Sequence, residues 1–335
     1  MTMKVAINGF GRIGRTVFRL LQERDNVEVV GINDITNSEA LAYLLRHDTV
    51  MGGFPGKAVI EGDKLVTDKG SVKITAVRNP NELPWADLGV DFAVESTGIF
   101  RTREQVAMHL DAGARKVILT VPAKDEIDAT IVLGVNNGDL KPEHKIVSNA
   151  SCTTNCLAPL AYVLDKEFGI ENGLMTTTHA YTSDQMLIDT PHSDFRRARA
   201  AAENIIPTTT GAAKAVGMVM PQLQGKMDGM AMRVPVPCGS VVDLVTNMKK
   251  SVTADEVNAA LKAASESDQF KGILAYADDH VVSSDIVGDP HSSIFDPGCT
   301  SVISGNLVKT ISWYDNEWGY SNRVCDLLEL MEKVG

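Results

Sequence analysis

The segment SNASCTTNCLAPL, residues 148–160, contains two of the chain's five cysteines and no charged side chain. A predicted strand ends near Ala150, and Ser151 is a suitable N-cap for a helix that follows. Cys152 would then lie in the first turn, where the helix dipole and the N–H groups lower the pKa of a thiol and favour the nucleophilic thiolate. Cys156 would lie one turn later among apolar residues, where we expect a neutral thiol that only packs.

A nucleophilic cysteine also needs a base. Among seven histidines, His179 is the best candidate because it ends the uncharged, strand-like segment 173–180 and precedes a polar loop. His192 and His291 remain possible. The other histidines lie beside charged or loop residues and are predicted at the surface: His47, His109, His144 and His280. The alternative is that Cys152 and His179 are unrelated and that the thiol is structural, the commoner state for cysteine.

A second group of residues has the chemistry of an anion site. Arg196, Arg197 and Arg199 precede the hydroxyl-rich tract TTTG at 208–211, and Arg233 lies in an otherwise apolar strand. Guanidinium groups bind phosphate oxygens bidentately, so these residues suit phosphate recognition. Surface or interface salt bridges are the alternative for the first three. An unpaired charge within an apolar strand is costly, so Arg233 is harder to explain that way.

The glycines Gly9, Gly11 and Gly14 have the spacing G-x-G-x-x-G after a predicted strand, 4–8, and at the start of a predicted helix, 12–24. In this context the glycines permit a tight turn, a close approach of a pyrophosphate and close helix packing, and the helix N-terminus faces the phosphates. The alternative is a glycine-rich turn without a ligand.

Asp34 ends the next predicted strand, 27–34, about 20 residues beyond the glycines, where an acid hydrogen-bonds the ribose hydroxyls of a dinucleotide. It would repel a 2′-phosphate, so we predict NAD rather than NADP as the cofactor.

The elements around these motifs predict the fold class. Strands and helices alternate over the first 150 residues, which indicates a Rossmann-type, doubly wound parallel sheet. The second half has longer, β-branched strands and few helices, one of them opening with a capping box of Thr253 and Glu256. It reads as an α+β domain with a mostly antiparallel sheet. The segment 321–334 is predicted to be a closing amphipathic helix.

Composition sets the class of protein. The 335 residues, 44% hydrophobic and 22% charged, fit a globular protein of about two domains. The net charge of −11 argues against nucleic acid or an anionic membrane surface as partner. The apolar run before Asn8 is too short for a secretory signal, and polar residues interrupt the uncharged stretch 146–164, which opposes a membrane span. Scattered cysteines suggest neither disulfides nor a metal site, so we expect a reduced, cytoplasmic compartment.

Seven segments, in chain order, closely resemble the family of phosphorylating glyceraldehyde-3-phosphate dehydrogenases: AINGFGRIGR, INDIT, VESTGIF, SNASCTTNC, HAYT, RRARAAAENIIPTTTGAAKA and WYDNEWGYSNRV. The resemblance implies NAD-dependent oxidation and phosphorylation of D-glyceraldehyde 3-phosphate to 1,3-bisphosphoglycerate, by way of a cysteine thiohemiacetal and thioester. It also implies a homotetramer. The domains implied are an NAD-binding domain over 1–150, completed by the last helix at 317–335, and a catalytic domain over 151–316.

The resemblance carries over to single residues. Cys152 matches the family's catalytic cysteine, and His179 matches the histidine that activates it. The positions that match NAD contacts, beside the three glycines, are Arg12, Ile13, Asp34, Arg78, Thr120 and Asn316. The positions that match the substrate-phosphate site are Thr182, Arg197 and Arg233, and those that match the inorganic-phosphate site are Ser151, Thr153, Thr210 and Gly211.

Two residues depart from the family pattern. Thr190 stands where the family commonly has leucine, near the adenosine ribose, so dual use of NAD and NADP stays open. Cys238 stands where the family usually has no thiol, and we interpret it as structural. The alternative functions are an erythrose-4-phosphate dehydrogenase of the same superfamily and a non-catalytic binding protein on this fold.

Overall fold

The computed structural model describes residues 2–335. The chain forms two compact units. The first takes in the chain up to Ile131, Gly138–Ala150 and Ser321–Gly335, and the second takes in Val132–Asn137 and Ser151–Tyr320.

The first unit is built on a nine-stranded sheet with the order β3-β4-β5-β2-β1-β6-β7-β9-β8. Its strands are β1 Met3–Asn8, β2 Val27–Asn33, β3 Ala58–Glu61, β4 Lys64–Thr67, β5 Gly70–Thr75, β6 Phe92–Glu95, β7 Lys116–Leu119, β8 Ala129–Thr130 and β9 Ile146–Ser148. The pairs from β5 through β8 are parallel, whereas β3, β4 and β5 form an antiparallel meander. The prediction of a Rossmann-type parallel sheet is confirmed.

Four helices accompany this sheet: α1 Arg12–Gln22, α2 Ser38–Arg46, α3 Trp85–Leu88 and α4 Arg103–Asp111. The side chain of Asn37 caps α2, and Thr102 with Gln105 forms a capping box on α4. The first unit also contains most of the last helix, α8 Trp318–Val334. Two acids of this helix, Asp326 and Glu329, form ion pairs of 2.6 Å with Arg24, which lies shortly after α1.

One of the histidines predicted at the surface is fully buried. His109 lies within α4 with no exposed surface, and its Nε2 atom lies 2.9 Å from Oε2 of Glu95, which is also fully buried. Its Nδ1 atom accepts a hydrogen bond of 3.0 Å from the Trp85 indole, so Nε2 carries the proton and donates it to Glu95. The surface prediction for His109 is therefore wrong, because both partners lie far from it in the sequence.

The second unit is built on a seven-stranded sheet with the order β11-β12-β10-β13-β16-β15-β14. Its strands are β10 Ile170–Ala180, β11 Ile206–Thr209, β12 Met227–Val234, β13 Ser240–Met248, β14 Leu274–Tyr276, β15 Ser293–Ile303 and β16 Leu307–Tyr314. Only the β10–β12 and β14–β15 pairs are parallel, so the sheet is mostly antiparallel, as predicted. Its helices are α5 Cys152–Phe168, α6 Ala212–Val219 and α7 Ala254–Ser265.

The capping box predicted at Thr253 and Glu256 is present at the start of α7. Within the described part of the chain, no helix combines the length and the apolar character that crossing a membrane requires.

Candidate active site

The residues with a predicted chemical role meet where α5 begins. Ser151 is the N-cap of α5, with its side chain accepting from the N–H of Thr154, so Cys152 is the first helical residue. His179 lies near the end of β10 and is 4% exposed. Its Nε2 atom is 3.5 Å from Sγ of Cys152, which is partly exposed. The structure thus brings the predicted nucleophile and base together.

The tautomer of His179 is assigned from its contacts. Nδ1 lies 2.7 Å from the carbonyl oxygen of Ala180, which only accepts, and 2.9 Å from Nη1 of Arg233, which only donates. The two protons of that Nη1 have acceptors in Ala180 and Thr182, so we assign the proton of the imidazole to Nδ1. Nε2 then presents a lone pair to the thiol of Cys152. Arg233 lies on the neighbouring strand β12, in register with His179, and its Nη1 donates to the same carbonyl at 2.9 Å.

The environment keeps this pair neutral. Burial raises the pKa of the Cys152 thiol, and the charge of Arg233 and hydrogen bonds with Thr153 act less strongly in the opposite direction. Burial, and next the charge of Arg233, lowers the pKa of His179 to about 3. The lowered thiol pKa that the helix terminus predicted is therefore wrong, because burial outweighs it. A neutral thiol beside a neutral imidazole is still competent, since the proton can pass to Nε2 during attack.

Cys156 has the inert surroundings that the sequence predicted. It is fully buried, with Sγ 3.6 Å from Oγ of Ser293 and 3.7 Å from the carbonyl oxygen of Ser312. Burial raises the pKa of its thiol to about 12. Cys156 therefore stays protonated and packs inside the second unit.

The residues predicted to hold the substrate phosphate are linked to one another. Nη1 of Arg233 donates to Oγ1 of Thr182 at 3.1 Å, and Nε of Arg197 donates to Oγ1 of Thr208 at 3.0 Å. The carboxylate of Asp184 joins the two ends, because it accepts hydrogen bonds from both Thr182 and Arg197.

The residues predicted to receive inorganic phosphate fall into two places. Ser151 and Thr153 flank Cys152, and the hydroxyl of Thr153 is hydrogen-bonded to Tyr314 at 2.8 Å. Gly211 is the N-cap of α6, a helix that packs against α5, and as a glycine it has no side chain to accept from the helix. Oγ1 of Thr210 accepts from the first N–H of that helix at 3.2 Å.

The first unit contains a cavity of about 380 Å³ at the carboxyl ends of its parallel strands. It is lined by Asn8, Gly9, Gly11, Asn33, Asp34, Ile35, Val77, Arg78, Ser96, Thr97, Ile99 and Phe100. Four of the predicted cofactor residues therefore share one cavity: Gly9, Gly11, Asp34 and Arg78. Three others lie in the first turn of α1: Arg12, which pairs with Asp48, Ile13 and Gly14. Thr120 directly follows β7 and is buried, with Oγ1 donating to the carbonyl oxygen of Glu95 at 3.0 Å.

The three glycines differ in whether the backbone would accept a larger residue at their positions. Gly9 has a φ of +89°, a conformation that favours glycine, and a Cβ on Gly14 would lie 2.0 Å from the carbonyl oxygen of Gly9. A Cβ on Gly11, in contrast, would meet nothing within 4 Å. The fold therefore requires the first and third glycines, while the second leaves open space at the N-terminus of α1.

The predicted cofactor residue Asn316 lies in the second unit. It is 5% exposed, and its Oδ1 accepts from Oγ of Ser240 at 2.8 Å. Cys238 is buried beside it and donates to Oδ1 of Asp315 at 3.1 Å. Burial, and then the Asp315 charge, raises the pKa of the Cys238 thiol, which is consistent with its structural interpretation.

Comparison with known proteins decides what this constellation belongs to. Residues 3–103 match the family model described as glyceraldehyde 3-phosphate dehydrogenase, NAD binding domain, and residues 151–316 match that of the C-terminal domain. The glyceraldehyde-3-phosphate dehydrogenase of Mycobacterium tuberculosis strain H37Rv is 58% identical over 340 residues, 99% of each chain. That of Streptomyces coelicolor is 55% identical over 329 residues, 98% of each chain.

The chain belongs to the glyceraldehyde-3-phosphate dehydrogenase family. It is therefore an enzyme, an oxidoreductase, and its cofactor is NAD. The resemblance found in the sequence is confirmed, and the two alternative functions are not favoured.

The cavity suits the cofactor of this family. Oδ2 of Asp34 accepts from the N–H of Phe10 at 2.7 Å, and Oδ1 accepts from the N–H of Thr36 at 2.9 Å. These bonds fix the carboxylate at the cavity wall, where its remaining lone pairs suit ribose hydroxyls.

Sequence reasoning missed two acids in this member of the family. Glu95 holds two residues that line the cavity, since it accepts from the N–H of Thr97 at 2.8 Å and from Nδ2 of Asn8 at 2.6 Å. The motif VESTGIF contained it, but its partners could not be read from spacing. Asp184 follows Thr182 by two residues, and that proximity was the only signal for its contact.

Proposed function

We propose that this chain catalyses the NAD-dependent oxidation and phosphorylation of D-glyceraldehyde 3-phosphate to 1,3-bisphosphoglycerate. The observation that carries the proposal is the distance of 3.5 Å between Sγ of Cys152 and Nε2 of His179. A thiol facing the lone pair of an imidazole is the arrangement that nucleophilic attack on an aldehyde needs. Arg233, which contacts both His179 and Thr182, sets an anion-binding group beside that pair.

In the first stage, Thr182, Arg197 and Arg233 hold the phosphate of the substrate. Cys152 attacks the aldehyde carbon while its proton passes to Nε2 of His179, and a carbon–sulfur bond forms. The backbone N–H of Cys152 and the protonated imidazole stabilise the developing oxyanion. Return of the proton to that oxygen gives a thiohemiacetal and a neutral His179.

In the second stage, Nε2 of His179 takes the hydroxyl proton of the thiohemiacetal as its carbon is oxidised to a thioester. NAD, when bound, supplies the acceptor for the hydride that this carbon loses. Ser151, Thr153, Thr210 and Gly211 are proposed to position inorganic phosphate. Its oxygen attacks the thioester carbon and the carbon–sulfur bond breaks, which releases the acyl phosphate. The proton on Nε2 of His179 passes to Sγ of Cys152, so that the thiol and the neutral imidazole are restored.

The proposed cofactor domain is 1–150, completed by 317–335, and the proposed catalytic domain is 151–316. Gly9, Gly11 and Gly14 would cradle the pyrophosphate and Asp34 would bind the adenosine ribose. The remaining proposed contacts to NAD are Arg12, Ile13, Arg78, Thr120 and Asn316.

We further propose a cytoplasmic homotetramer without nucleic-acid or membrane partners. The acidic net charge of −11 supports the absence of polyanionic partners. Large apolar side chains are exposed on the segment between β10 and β11, which supports self-association: Leu187, Ile188, Phe195 and Ile205.

The function is tested by reduction of NAD with glyceraldehyde 3-phosphate, with and without inorganic phosphate. We expect Cys152→Ser to lower the rate by roughly 10³-fold or more, because a hydroxyl is a far poorer nucleophile. Cys156→Ser is the matched control and should retain most activity, since Ser293 and Ser312 can still bond the new hydroxyl. Equal losses, or a strong preference for erythrose 4-phosphate, would refute the proposal.

A further inference from the structure

The groups proposed to hold the substrate phosphate already bind an anion that belongs to the chain itself. One oxygen of Asp184 accepts from the hydroxyl of Thr182, and the other accepts from Nη1 of Arg197. The Asp184 side chain is 44% exposed, so solvent reaches the carboxylate on one side. A carboxylate bound through both oxygens by a hydroxyl and a guanidinium imitates a phosphate in charge and acceptor geometry.

The hydroxyl of Thr182 cannot donate to the Asp184 carboxylate and to a substrate phosphate at the same time. A threonine hydroxyl has a single proton to donate. Thr182 gives that proton to Asp184, while its oxygen accepts from Nη1 of Arg233 at 3.1 Å. Thr182 can therefore donate to a substrate phosphate only after it has released Asp184.

The guanidinium of Arg197 also donates its hydrogen bonds to groups of the chain itself. Its Nε atom donates to Thr208 at 3.0 Å, and Nη1 donates to Asp184. A phosphate placed at the same guanidinium edge would lie beside a carboxylate of like charge, which is unfavourable. The Asp184 charge persists at neutral pH: burial raises the pKa of this carboxyl, but Thr182, Arg233 and Arg197 lower it by more.

We propose that Asp184 is an internal competitor of the substrate phosphate: it occupies Thr182 and Arg197 before substrate binds and is displaced by the phosphorylated aldehyde. The proposal rests on the proposed function, which assigns these two residues to the substrate. Asp184 keeps the Thr182 hydroxyl and the Arg197 guanidinium near each other, but it lowers the affinity of the site for the substrate phosphate. It thereby sets how strongly the site prefers a phosphorylated substrate.

The local backbone leaves the carboxylate able to move. The turn around Asp184 is closed by other groups, since the N–H of Gln185 donates to the carbonyl of Thr182 at 2.9 Å and the Gln185 side chain accepts from the N–H of Thr182 at 3.3 Å. Neither bond uses the Asp184 carboxylate. Rotation of that side chain into solvent therefore leaves the turn closed, while it breaks the side-chain bonds to Thr182 and Arg197 that the phosphate would replace.

The test is Asp184→Asn, which keeps the shape and removes the charge. We expect KM for glyceraldehyde 3-phosphate to fall about two- to fivefold, the effect of losing one partly exposed ionic competitor. We expect kcat to stay the same while KM changes. KM for unphosphorylated glyceraldehyde should also stay the same. The dissociation constant of glycerol 3-phosphate, which cannot be oxidised, should fall by the same factor in calorimetry.

Asp189→Asn is the matched control. Asp189 lies in the same segment, pairs with Arg199 at 2.9 Å and has an exposed side chain. Its replacement should leave both constants within error. An unchanged or increased KM and dissociation constant in Asp184→Asn would show that the carboxylate positions the site rather than competes for it. If the wild-type enzyme oxidises glyceraldehyde 3-phosphate, that outcome overturns this proposal alone.

Discussion

Two cysteines on one helix differ in everything that governs thiol reactivity. Cys152 is partly exposed and faces Nε2 of His179, whereas Cys156, one turn later, is enclosed by Ser293 and the backbone of β16. The third relevant thiol, Cys299, is exposed but lies beside Asp296, whose charge adds to burial in raising its pKa. We therefore expect the reactivity of these thiols to depend on a neighbouring base rather than on exposure.

Alkylation by iodoacetamide should therefore label Cys152 first. Because burial raises the pKa of its thiol, reaction depends on proton transfer to His179, and His179→Asn should slow labelling by roughly 10-fold or more. Peptide mass spectrometry over a time course measures this, with Cys299 as the internal control. Unchanged labelling of Cys152, or equal slowing at both sites, would remove His179 as the activating base.

At the scale of elements, β6 is tied to α4 and to α3 by a buried polar network. Glu95 at the end of β6 accepts from His109 of α4, which accepts from the indole of Trp85 in α3. The same carboxylate accepts hydrogen bonds from Asn8 and Thr97, which line the cavity of the first unit. The side chains of Glu95, His109 and Trp85 all have partners within this network, so one substitution there removes the partner of more than one group.

His109→Leu should destabilise the protein by about 3 kcal/mol, because it removes one of the donors to the buried Glu95 carboxylate and leaves the Trp85 N–H without its acceptor. Urea unfolding followed by tryptophan fluorescence measures the change. His47→Leu, at an exposed position, is the control and should change the free energy of unfolding by less than about 0.5 kcal/mol. Similar effects of the two substitutions would contradict the role of the network.

Elements with a strong local signature could be predicted from the sequence, as for β1, α1 and the capping box of α7. The meander of β3, β4 and β5 was missed because its strands have only four to six residues and one exposed edge, so that no hydrophobic period develops. The proximity of Cys152 and His179 was predictable from local cues and family motifs. The burial of His109 and the neutral state of Cys152 were not, because both depend on residues that only the tertiary structure brings near.

At the scale of the whole molecule, the segment between β10 and β11 exposes more apolar surface than a monomer would favour. Phe195 is 87% exposed and Leu187 is 82% exposed. Contiguous exposed apolar side chains mark association surfaces, and this supports the proposed homotetramer.

Phe195→Asp should therefore weaken self-association, because it puts a charge where an apolar contact is proposed. Sedimentation velocity across a range of protein concentrations should show a smaller species than the wild type at equal concentration. Phe195→Leu keeps an apolar side chain and should sediment like the wild type. Identical sedimentation of the aspartate variant would place the interface elsewhere.

From the proposed role of the carboxylate on Thr182 and Arg197, we also expect an effect on how substrate reaches the enzyme from solution. Two guanidinium groups would attract a phosphate dianion over a distance, but Asp184 offsets one of those charges, and the protein as a whole carries −11. Long-range attraction of this kind is what dissolved salt screens. The association rate of the substrate should consequently depend only weakly on ionic strength, so that capture would proceed at a similar pace in dilute buffer and in a concentrated cell interior.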